Sequence, residues 1–448
     1  MATTAAERRL LLAAALALVG GFAALASCVP EAPPEQPAPE QPAPERAAER
    51  PPLPVAELPQ ERPAVPAEPQ LRIGLLVGAS SATIGGGDDL VITDPSGARV
   101  AAVPAGEQWR VVPYGAGIAL QPPGRPGPAP IEMIAVVATD PRDLVRVNGR
   151  TYRGVVEFVR DTAGLTVVNR LLLESYLVGV VSAEMGRRNQ SEFEALKAQA
   201  VVSRTYALRN LRRRAALGFD LHAGVSDQVY GGSESETPEG REAVSLTRGQ
   251  VLTFGGRPID AFYYSTCGGH TADGVEAFRA ASRPYLRSFA DVDEHGQAYC
   301  RISPRYRWRE EWTGDALRMT LRRTLPTTLG VGADRASEVR DVWVAQRTAS
   351  GRVGRLGITL PADHLMVEGP VVRQVLRPAS GDLLRSAAFT LSASRSGREI
   401  TRLVAEGSGA GHGVGMCQWG AVGRSRAGQD YQRILAAYFP GATLQRSY

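Results

Sequence analysis

The residue whose surroundings most clearly indicate chemistry is Glu184, the one acidic side chain between residues 175 and 185. Around it the chain is apolar, with the neighbours Leu177, Val178, Val180, Val181 and Met185. Apolar surroundings disfavour the charged form of a carboxyl group, which suits a proton donor near neutral pH. The simpler interpretation is a surface glutamate in the last turn of a short helix, and composition alone favours it.

A helical pattern follows Glu184 and shifts the balance towards a site. At 100° per residue, one arc carries Phe193, Leu196, Ala200, Ala207 and Leu211. This pattern predicts an amphipathic helix over 191–208. Ser191, with Glu194 three residues later, predicts a capping box at its start.

Arg204 falls inside the apolar arc of this predicted helix. An unpaired buried guanidinium is costly, so Arg204 must meet a carboxylate or a carbonyl group. Beside it runs a polar stripe formed by Gln199, Ser203, Tyr206 and Asn210. A buried arginine next to such a stripe is typical of one wall of a binding site, and pairing of Arg204 within the core is the competing interpretation.

A glycine-rich segment near the end of the chain, residues 407–421, contains six glycines around His412, Gln418 and Trp419. Its spacing fits neither a phosphate-binding loop nor a dinucleotide-binding loop. Glycines this dense allow a backbone to approach a ligand closely. We therefore expect a loop that lines a site. The alternative is a tight structural turn with His412 hydrogen-bonded in the core.

The N-terminus has the pattern of a secreted lipoprotein. Arg8 and Arg9 precede an apolar run over 10–26, and the small residues before Cys28 resemble a bacterial lipobox. We expect residues 1–28 to be a signal peptide and Cys28 to carry a lipid that anchors the chain to a membrane. The proline-rich residues 29–70 predict a disordered tether. The rest of the protein is then extracytoplasmic, in the cell envelope.

The remaining chain predicts an α+β fold. Short alternating runs between turn residues predict a β-rich scaffold over 71–169. Residues 170–300 form a helical core that carries the catalytic helix, and residues 301–448 form a mixed α/β part that carries the glycine-rich segment. The later predicted helices are 315–325 and 431–439, with a helix or turn at 382–386.

The net charge of the chain is only +5, and no nucleic-acid-binding motif occurs in it. The arginine run 212–214 is best explained as a solvated helix end. We therefore expect no nucleic-acid partner.

Three long motifs resemble the stage II sporulation protein D / LytB amidase-enhancer (SpoIID/LytB) family. They are residues 176–185, 195–206 and 411–421, and the resemblance covers roughly residues 71–447. Weaker agreement is found around Gln228 and Ser265. The sequence departs from the family pattern at Cys417, where serine is more usual, and at Gly186, where proline is common.

This resemblance implies a peptidoglycan lytic transglycosylase that acts on glycan strands stripped of their stem peptides. Glu184 matches the catalytic glutamate of the family and would act as general acid and base, with no cofactor required. Members named as amidase enhancers are described as modulating a partner amidase, so a non-catalytic, glycan-binding enhancer is the alternative function. A metal-dependent amidase is disfavoured because no His-Glu-x-x-His motif occurs.

The substrate-binding residues that we expect around Glu184 come from the matching motifs and from the polar stripe. They are Gln199, Arg204, Tyr206, Gln228, Tyr230, Ser265, His412, Gln418 and Trp419. Trp419 would offer a flat face to a sugar ring, and Arg204 would orient an acid or pair with one.

Three cysteines remain if Cys28 is lipidated, namely Cys267, Cys300 and Cys417. Some members of the family hold zinc with cysteine and histidine ligands in this region, which makes Cys267, His270 and Cys300 a candidate set. These residues lack a compact zinc-binding spacing. Because the expected compartment is oxidising, a disulfide between Cys267 and Cys300 is the favoured prediction, and zinc is the alternative.

Overall fold

The computed structural model describes residues 67–140, 142–278 and 282–448. The predicted signal peptide, Cys28 and nearly all of the predicted tether lie outside these ranges. The last residues of that tether belong to the fold, since Glu68 accepts a hydrogen bond from the backbone of Glu174 at 2.8 Å and pairs with Arg248. None of the helices in these ranges combines the length and hydrophobicity needed to cross a bilayer.

Residues 70–172 form the predicted β-rich scaffold. Its strands are β1 (Gln70–Ala79), β2 (Ala82–Gly85), β3 (Leu90–Thr93), β4 (Arg99–Val103), β5 (Gln108–Tyr114), β6 (Gly117–Gln121), β7 (Met133–Ala138), β8 (Val145–Val147), β9 (Arg150–Tyr152), β10 (Val155–Arg160) and β11 (Leu165–Leu172). Alternate residues of these strands are buried, as with Ile134 and Val136 in β7. The alternating runs in the sequence predicted this period of two.

The predicted helical core, residues 170–300, follows the scaffold directly and is called the helical centre. Its elements are α1 (Leu173–Met185), α2 (Phe193–Arg209), β12 (Leu221–His222), α3 (Pro238–Leu246), β13 (Gln250–Phe254), β14 (Arg257–Pro258), β15 (Tyr263–Tyr264) and α4 (Gly274–Ala277). Strand β12 pairs in parallel with β1 and so extends the larger scaffold sheet, whose order is β12-β1-β11-β10-β7-β3-β4. The second scaffold sheet has the order β6-β5-β2-β8-β9.

The last third of the chain is mixed, as predicted. Its elements are β16 (Arg307–Thr313), α5 (Gly314–Leu329), α6 (Ala333–Ser337), β17 (Asp341–Arg347), β18 (Val353–Thr359), β19 (His364–Glu368), α7 (Val372–Val375), β20 (Phe389–Ser396), β21 (Glu399–Ser408), β22 (Met416–Cys417), α8 (Gln418–Arg426), α9 (Tyr431–Tyr438) and β23 (Thr443–Arg446). The predicted helices at 315–325 and 431–439 are confirmed, whereas 382–386 is irregular. Helices and strands together confirm the α+β class.

The hydrophobic cores divide the chain differently from the predicted boundary at residue 301. One core joins the scaffold, the helical centre and the segment after residue 410, including Val414 and Met416. A second core contains only residues between Trp308 and Ala405. The glycine-rich segment therefore packs with the helical centre, and the second core is an insertion ahead of it.

The start of α2 differs from the predicted capping box. Ser191 lies in a short 3-10 turn and donates to the side chain of Asn189, while α2 begins at Phe193 without a side-chain cap. Glu194 instead accepts a hydrogen bond from the backbone of Tyr431 at 2.9 Å, which ties α2 to the start of α9. Glu194 therefore bonds to Tyr431, which is distant in sequence, instead of to the start of its own helix.

Arg204 faces the core, as its place on the helical wheel predicted. Its guanidinium is fully buried and forms two hydrogen bonds with the Glu174 carboxylate, at 2.9 and 2.7 Å. It also donates to the carbonyl groups of Ala200, Val244 and Gln250, so that all five of its N–H groups are used. The Glu174 carboxylate receives a further hydrogen bond from Tyr448. Arg204 has no donor left for a sugar, so its assignment to substrate binding is wrong and its role is structural.

We expect Arg204→Met to destabilise the protein by about 3–5 kcal/mol, because it leaves the Glu174 carboxylate buried without its cation. Urea denaturation followed by circular dichroism measures this loss. Arg209→Met is the matched control on the same helix, since the Arg209–Asp260 pair is part-exposed and is worth less than about 1 kcal/mol. Equal losses in the two variants would contradict the structural role of Arg204.

Candidate active site

Glu184 lies in the last turn of α1 and is half-buried. The helix ends at Gly186, whose φ of 65° is a conformation that proline cannot adopt and that glycine adopts without strain. The family departure at Gly186 is therefore part of how the helix stops. A negative charge at the C-terminal end of a helix is disfavoured by the helix dipole, so the carboxylate needs hydrogen-bond donors there.

Three donors from three distant segments meet the Glu184 carboxylate. The backbone N–H of Val229 and the hydroxyl of Tyr263 donate to Oε1, at 2.9 and 3.1 Å. The side-chain amide of Gln418 donates to Oε2 at 3.2 Å. All three donors are neutral. The sequence predicted Glu184 and Gln418, whereas Tyr263 and the Val229 backbone were missed.

The Tyr263 hydroxyl is oriented by Gln228, which is almost fully buried. Tyr176 donates to the side-chain carbonyl of Gln228, and the amide of Gln228 donates to the Tyr263 oxygen, each at 3.3 Å. The Tyr263 proton is thereby directed at Glu184. Burial and the nearby Glu184 carboxylate hold the pKa of Tyr263 well above its ordinary value, so Tyr263 stays protonated. Gln228 thus positions a donor instead of binding substrate directly.

Gln418 and Tyr263 are brought together by a short parallel strand pair. Strands β15 and β22 pair in register, with Tyr263 opposite Met416. Gln418 is the first residue of α8, directly after β22. The backbone N–H of Trp419 donates to the carbonyl of Ser265 at 3.0 Å, so Ser265 acts here through its backbone.

The glycines of the loop serve close packing within the protein. A Cβ at Gly413 would lie 2.7 Å from the Arg352 guanidinium, and one at Gly415 would lie 2.1 Å from the carbonyl oxygen of Phe262. The sequence predicted that this backbone approaches a ligand. In the structure it approaches β15 and Arg352 instead. Glycine is required because any side chain would push β22 away from Tyr263.

His412 is held by hydrogen bonds on both ring nitrogens. Nε2 donates to the carbonyl of Tyr263 at 2.9 Å, and Nδ1 accepts from the backbone of Val414 at 3.1 Å. This pattern defines the neutral tautomer with the proton on Nε2. Burial lowers the pKa of His412 to about 4. The structural-turn interpretation is therefore the right one, and His412 supports the strand that carries Tyr263.

Three other predicted binding residues lie in the core. Gln199 is fully buried and donates to Ser203 at 2.9 Å, and the Tyr230 hydroxyl donates to Asn169 at 2.9 Å. The Tyr206 hydroxyl donates to Asp227 at 3.1 Å. These hydrogen bonds hold helices and strands together, and the remaining side-chain oxygen of Gln199 is buried without a partner in the described residues. Because the three side chains lie in the core, their assignment to sugar contacts is wrong.

Trp419 stays at the edge of the site, half-buried. The guanidinium of Arg188 lies 4.6 Å from the centre of its ring. One face of the indole is thus covered by a cation–π contact. Only the remaining surface of Trp419 is available for the sugar that the sequence pattern placed there.

The three cysteines meet in the first core, beside the Gln418 helix. Their sulfur atoms all lie within 4.8 Å of one another, and all three are free thiols. The Sγ atoms of Cys267 and Cys300 are 3.4 Å apart, which is a non-bonded distance, so the predicted disulfide is not formed. The third member is Cys417. His270 is not part of this cluster and donates through Nδ1 to a backbone carbonyl.

The cysteine cluster has the donor chemistry of a metal site. Hydrogen bonds from Cys267 and Cys417 lower the pKa of Cys300, whereas burial raises the pKa of Cys267 and of Cys417. Cys417 Sγ also accepts from the backbone of Cys267 and of Gly420, each at 3.1 Å. The three buried sulfurs fit three of the four positions of a tetrahedral zinc ion, which prefers thiolate ligands.

Comparison with known proteins agrees with these features. A family model described as Stage II sporulation protein matches residues 161–254, and a domain of unknown function (DUF8618) matches 292–415. An uncharacterized protein of Brachyspira hyodysenteriae is 32% identical over 309 residues, which are 69% of this chain and 76% of that protein. Stage II sporulation protein D of Bacillus subtilis is 28% identical over 64% of this chain and 78% of that protein. The chain belongs to the SpoIID/LytB family.

A third SpoIID/LytB relative is the amidase enhancer of Bacillus subtilis, which is 27% identical over 67% of this chain. The matched part is 45% of the enhancer, so this chain spans less than half of that relative. Within this SpoIID/LytB protein, the first model match contains Glu184 and Val229 but neither Tyr263 nor Gln418. The second match contains the whole of the second core.

Protonation of His412 should destabilise the fold at mildly acidic pH. Its pKa is about 4 in the folded protein and about 6.5 in an unfolded chain, so below pH 6.5 only the unfolded state takes up the proton. The stability present above pH 6.5 is then lost as the pH falls towards 4, by about 3 kcal/mol in total. Urea denaturation at pH 7 and pH 4.5 measures it.

A His412→Gln variant should lose this part of the pH dependence, because the amide does not titrate. The control is His295→Gln at an exposed histidine, which should keep the wild-type dependence. If His412→Gln shows the same decline as the wild type, the buried neutral imidazole is not its source.

Proposed function

We propose that this protein is a peptidoglycan lytic transglycosylase that cleaves glycan strands stripped of their stem peptides. The observation that carries the proposal is the convergence of three neutral donors on Glu184, in a chain of the SpoIID/LytB family. The site has one such carboxylate at its centre. One carboxyl group that gains and loses a proton is what this reaction requires.

In the first step, protonated Glu184 donates to the glycosidic oxygen between N-acetylmuramate and N-acetylglucosamine as the bond to the muramoyl C1 breaks. In the second, the Glu184 carboxylate removes the proton from the muramoyl C6 hydroxyl, whose oxygen bonds to C1. The product is a 1,6-anhydro ring. Glu184 ends protonated again, and no water is consumed.

The surrounding groups suit both states of Glu184. An amide side chain can donate through its nitrogen to a carboxylate or accept through its oxygen from a carboxylic acid, so Gln418 serves the acid and the base. The helix end disfavours a permanent negative charge on Glu184, while Tyr263 and Val229 stabilise a transient one.

A hydrolase with two carboxylates would place a second acid across the scissile bond. Asp227 is close in sequence to Val229, but its side chain is fully buried and accepts hydrogen bonds from Tyr206 and Arg214. This carboxylate is therefore committed to the fold. That arrangement supports a mechanism in which Glu184 acts alone.

The cellular setting follows from the same relatives. A role in the cell wall, outside the cytoplasm, fits relatives named for sporulation and for enhancing an amidase. The lipid anchor at Cys28 belongs to this proposal. The second candidate function, a non-catalytic enhancer that binds glycan and a partner amidase, is favoured by the name of one relative.

A zinc ion would be held by Cys267, Cys300 and Cys417, whose sulfurs already lie within 4.8 Å. Such an ion would supply structural cross-linking, because Cys417 is the residue before Gln418 and anchors the start of α8. It would take no direct part in the glutamate chemistry, since none of the three hydrogen bonds to Glu184 comes from a cysteine.

Purified protein incubated with stripped glycan strands should release 1,6-anhydro-muramoyl products, which mass spectrometry identifies. Glu184→Gln should lower the rate by about a hundredfold to ten-thousandfold, because the amide neither donates the acid proton nor accepts the base proton. The matched control is Glu242→Gln, an exposed glutamate of α3, which should keep full activity.

Two outcomes would overturn the enzymatic proposal. If the wild type binds glycan and stimulates an amidase but releases no anhydro product, the enhancer function is correct. If Glu184→Gln retains full activity, another residue is the acid.

Purified wild type supplied with zinc should contain one zinc ion per chain by mass spectrometry of the metal, and Cys417→Ser should lower this content. A chelator should lower the melting temperature of the wild type more than that of Cys417→Ser. The control Ser265→Ala should keep the metal. If the wild type holds no zinc and thiol titration shows only one free thiol after unfolding, the disulfide is the correct state of this cluster.

A further inference from the structure

A cavity of about 830 Å³ lies apart from the Glu184 site. One side of it is the turn that contains Cys267 and His270, which belongs to the first core. The other side is built by the second core, including β16 and β21. Its lining includes none of the three residues that donate hydrogen bonds to Glu184. The candidate active site does not explain it.

The lining of this cavity is strongly basic. Arg307, Arg309, Arg347 and Arg352 contribute to it, and Glu406 is the acid among the lining residues. Glu406 pairs with Arg309 at 2.5 Å, which neutralises that arginine. Within the described ranges, the other three guanidinium groups have no carboxylate within 4 Å. Arg307 and Arg347 donate instead to backbone carbonyl groups and are exposed to the cavity.

Arg352 is held rigidly at the base of the lining. It is 6% exposed and donates to the carbonyl groups of Thr271 and His270, at 3.1 and 2.8 Å, and to the Ser350 hydroxyl at 2.9 Å. Ser350 in turn donates to Glu276. The charge of Arg352 is therefore partly balanced through a hydroxyl, and Arg307 and Arg347 are the uncompensated pair.

Trp308 is the tryptophan of the cavity lining. It is 7% exposed, and its indole nitrogen is buried without a hydrogen-bond partner in the described part of the chain. A buried indole N–H ordinarily finds an acceptor. Trp308 lines the same cavity as the two uncompensated arginines. The indole nitrogen has almost no surface open to the cavity, so an anionic ligand would meet the two arginines while Trp308 forms an apolar part of the lining.

The geometry points to a subsite for the free lactyl carboxylate of a muramic acid residue. Guanidinium groups match the planar geometry of carboxylates, and hydroxyl side chains such as Thr390 and Ser408 suit the rest of a sugar. This inference rests on the proposed function for the identity of the glycan. When a stem peptide is attached, the lactyl group is a neutral amide, so this subsite selects stripped strands through charge.

The short segment 263–267, which begins in β15 and ends in a turn, connects this cavity with the Glu184 site. Tyr263 donates to Glu184, and Cys267, four residues later, lines the cavity. Four residues of extended chain span no more than about 14 Å between their Cα atoms. A single glycan strand of a few sugars can therefore occupy both places. The second core thus supplies a binding surface along the path of the substrate.

The test measures binding separately from cleavage. In a Glu184→Gln background, titration calorimetry compares a muramic-acid oligosaccharide with free lactyl groups, the same saccharide with methylamidated lactyl groups, and a chitin oligosaccharide. The free-lactyl saccharide should bind at least about tenfold tighter than the other two. Arg307→Gln combined with Arg347→Gln should remove this preference, while Arg355→Gln combined with Arg398→Gln, an equal charge change outside the cavity, should preserve it.

Equal affinity for the free and amidated saccharides would overturn the inference, as would tighter binding of a glycerol-phosphate polymer. Product formation by the protein with intact Glu184 on the same saccharide is scored independently. If anhydro products form without any lactyl preference, the cavity assignment fails and the enzyme assignment stands. If the preference is seen without product, the cavity assignment stands and the enzyme assignment fails.

Discussion

Helix α1 carries one carboxylate near each end, and the fold depends on how the first is held. Glu174 is locked by the fully buried Arg204, with Tyr448 bonded to the same carboxylate. A negative charge is favoured at the start of a helix and disfavoured at its end, where Glu184 lies among neutral donors. One end of α1 is thus a fixed ion pair that anchors the core. At the other end, Glu184 has only neutral hydrogen-bond donors around its carboxylate.

Most residues of the family motifs make structural contacts, and few of them lie at the carboxylate of Glu184. The glycine-rich loop holds β22 against Tyr263, and His412 braces that strand with both ring nitrogens. Gln228, another motif residue, aims the Tyr263 hydroxyl. Around one reactive carboxylate, most of the recognisable sequence is therefore a support that fixes the direction of hydrogen bonds. The polar stripe on α2 belongs to the same support. Gln199 is hydrogen-bonded to Ser203, and Tyr206 is hydrogen-bonded to Asp227.

Sequence reasoning succeeded where local pattern decides structure, as in the β scaffold and in the inward direction of Arg204. It also named Glu184 and Gln418, which lie in long motifs and are hydrogen-bonded to each other in the structure. It missed the backbone donor of Val229, which carries no side-chain signal, and Tyr263, which looks like an ordinary strand residue. The capping box at Ser191 failed because Glu194 has a tertiary partner. The two cores and the cysteine cluster were hidden because their members are far apart along the chain.

The order of segments has a consequence for how the protein is made. Gln418 lies 234 residues beyond the glutamate it meets, and the whole second core is synthesised in between. Contacts across such separations form late, because closing a long loop costs entropy before the contact rewards it. A growing chain therefore holds Glu184 without β22 or its amide partner. Assembly of the site waits until Gln418 has been synthesised, so a chain that stops before it carries the acid without its amide partner.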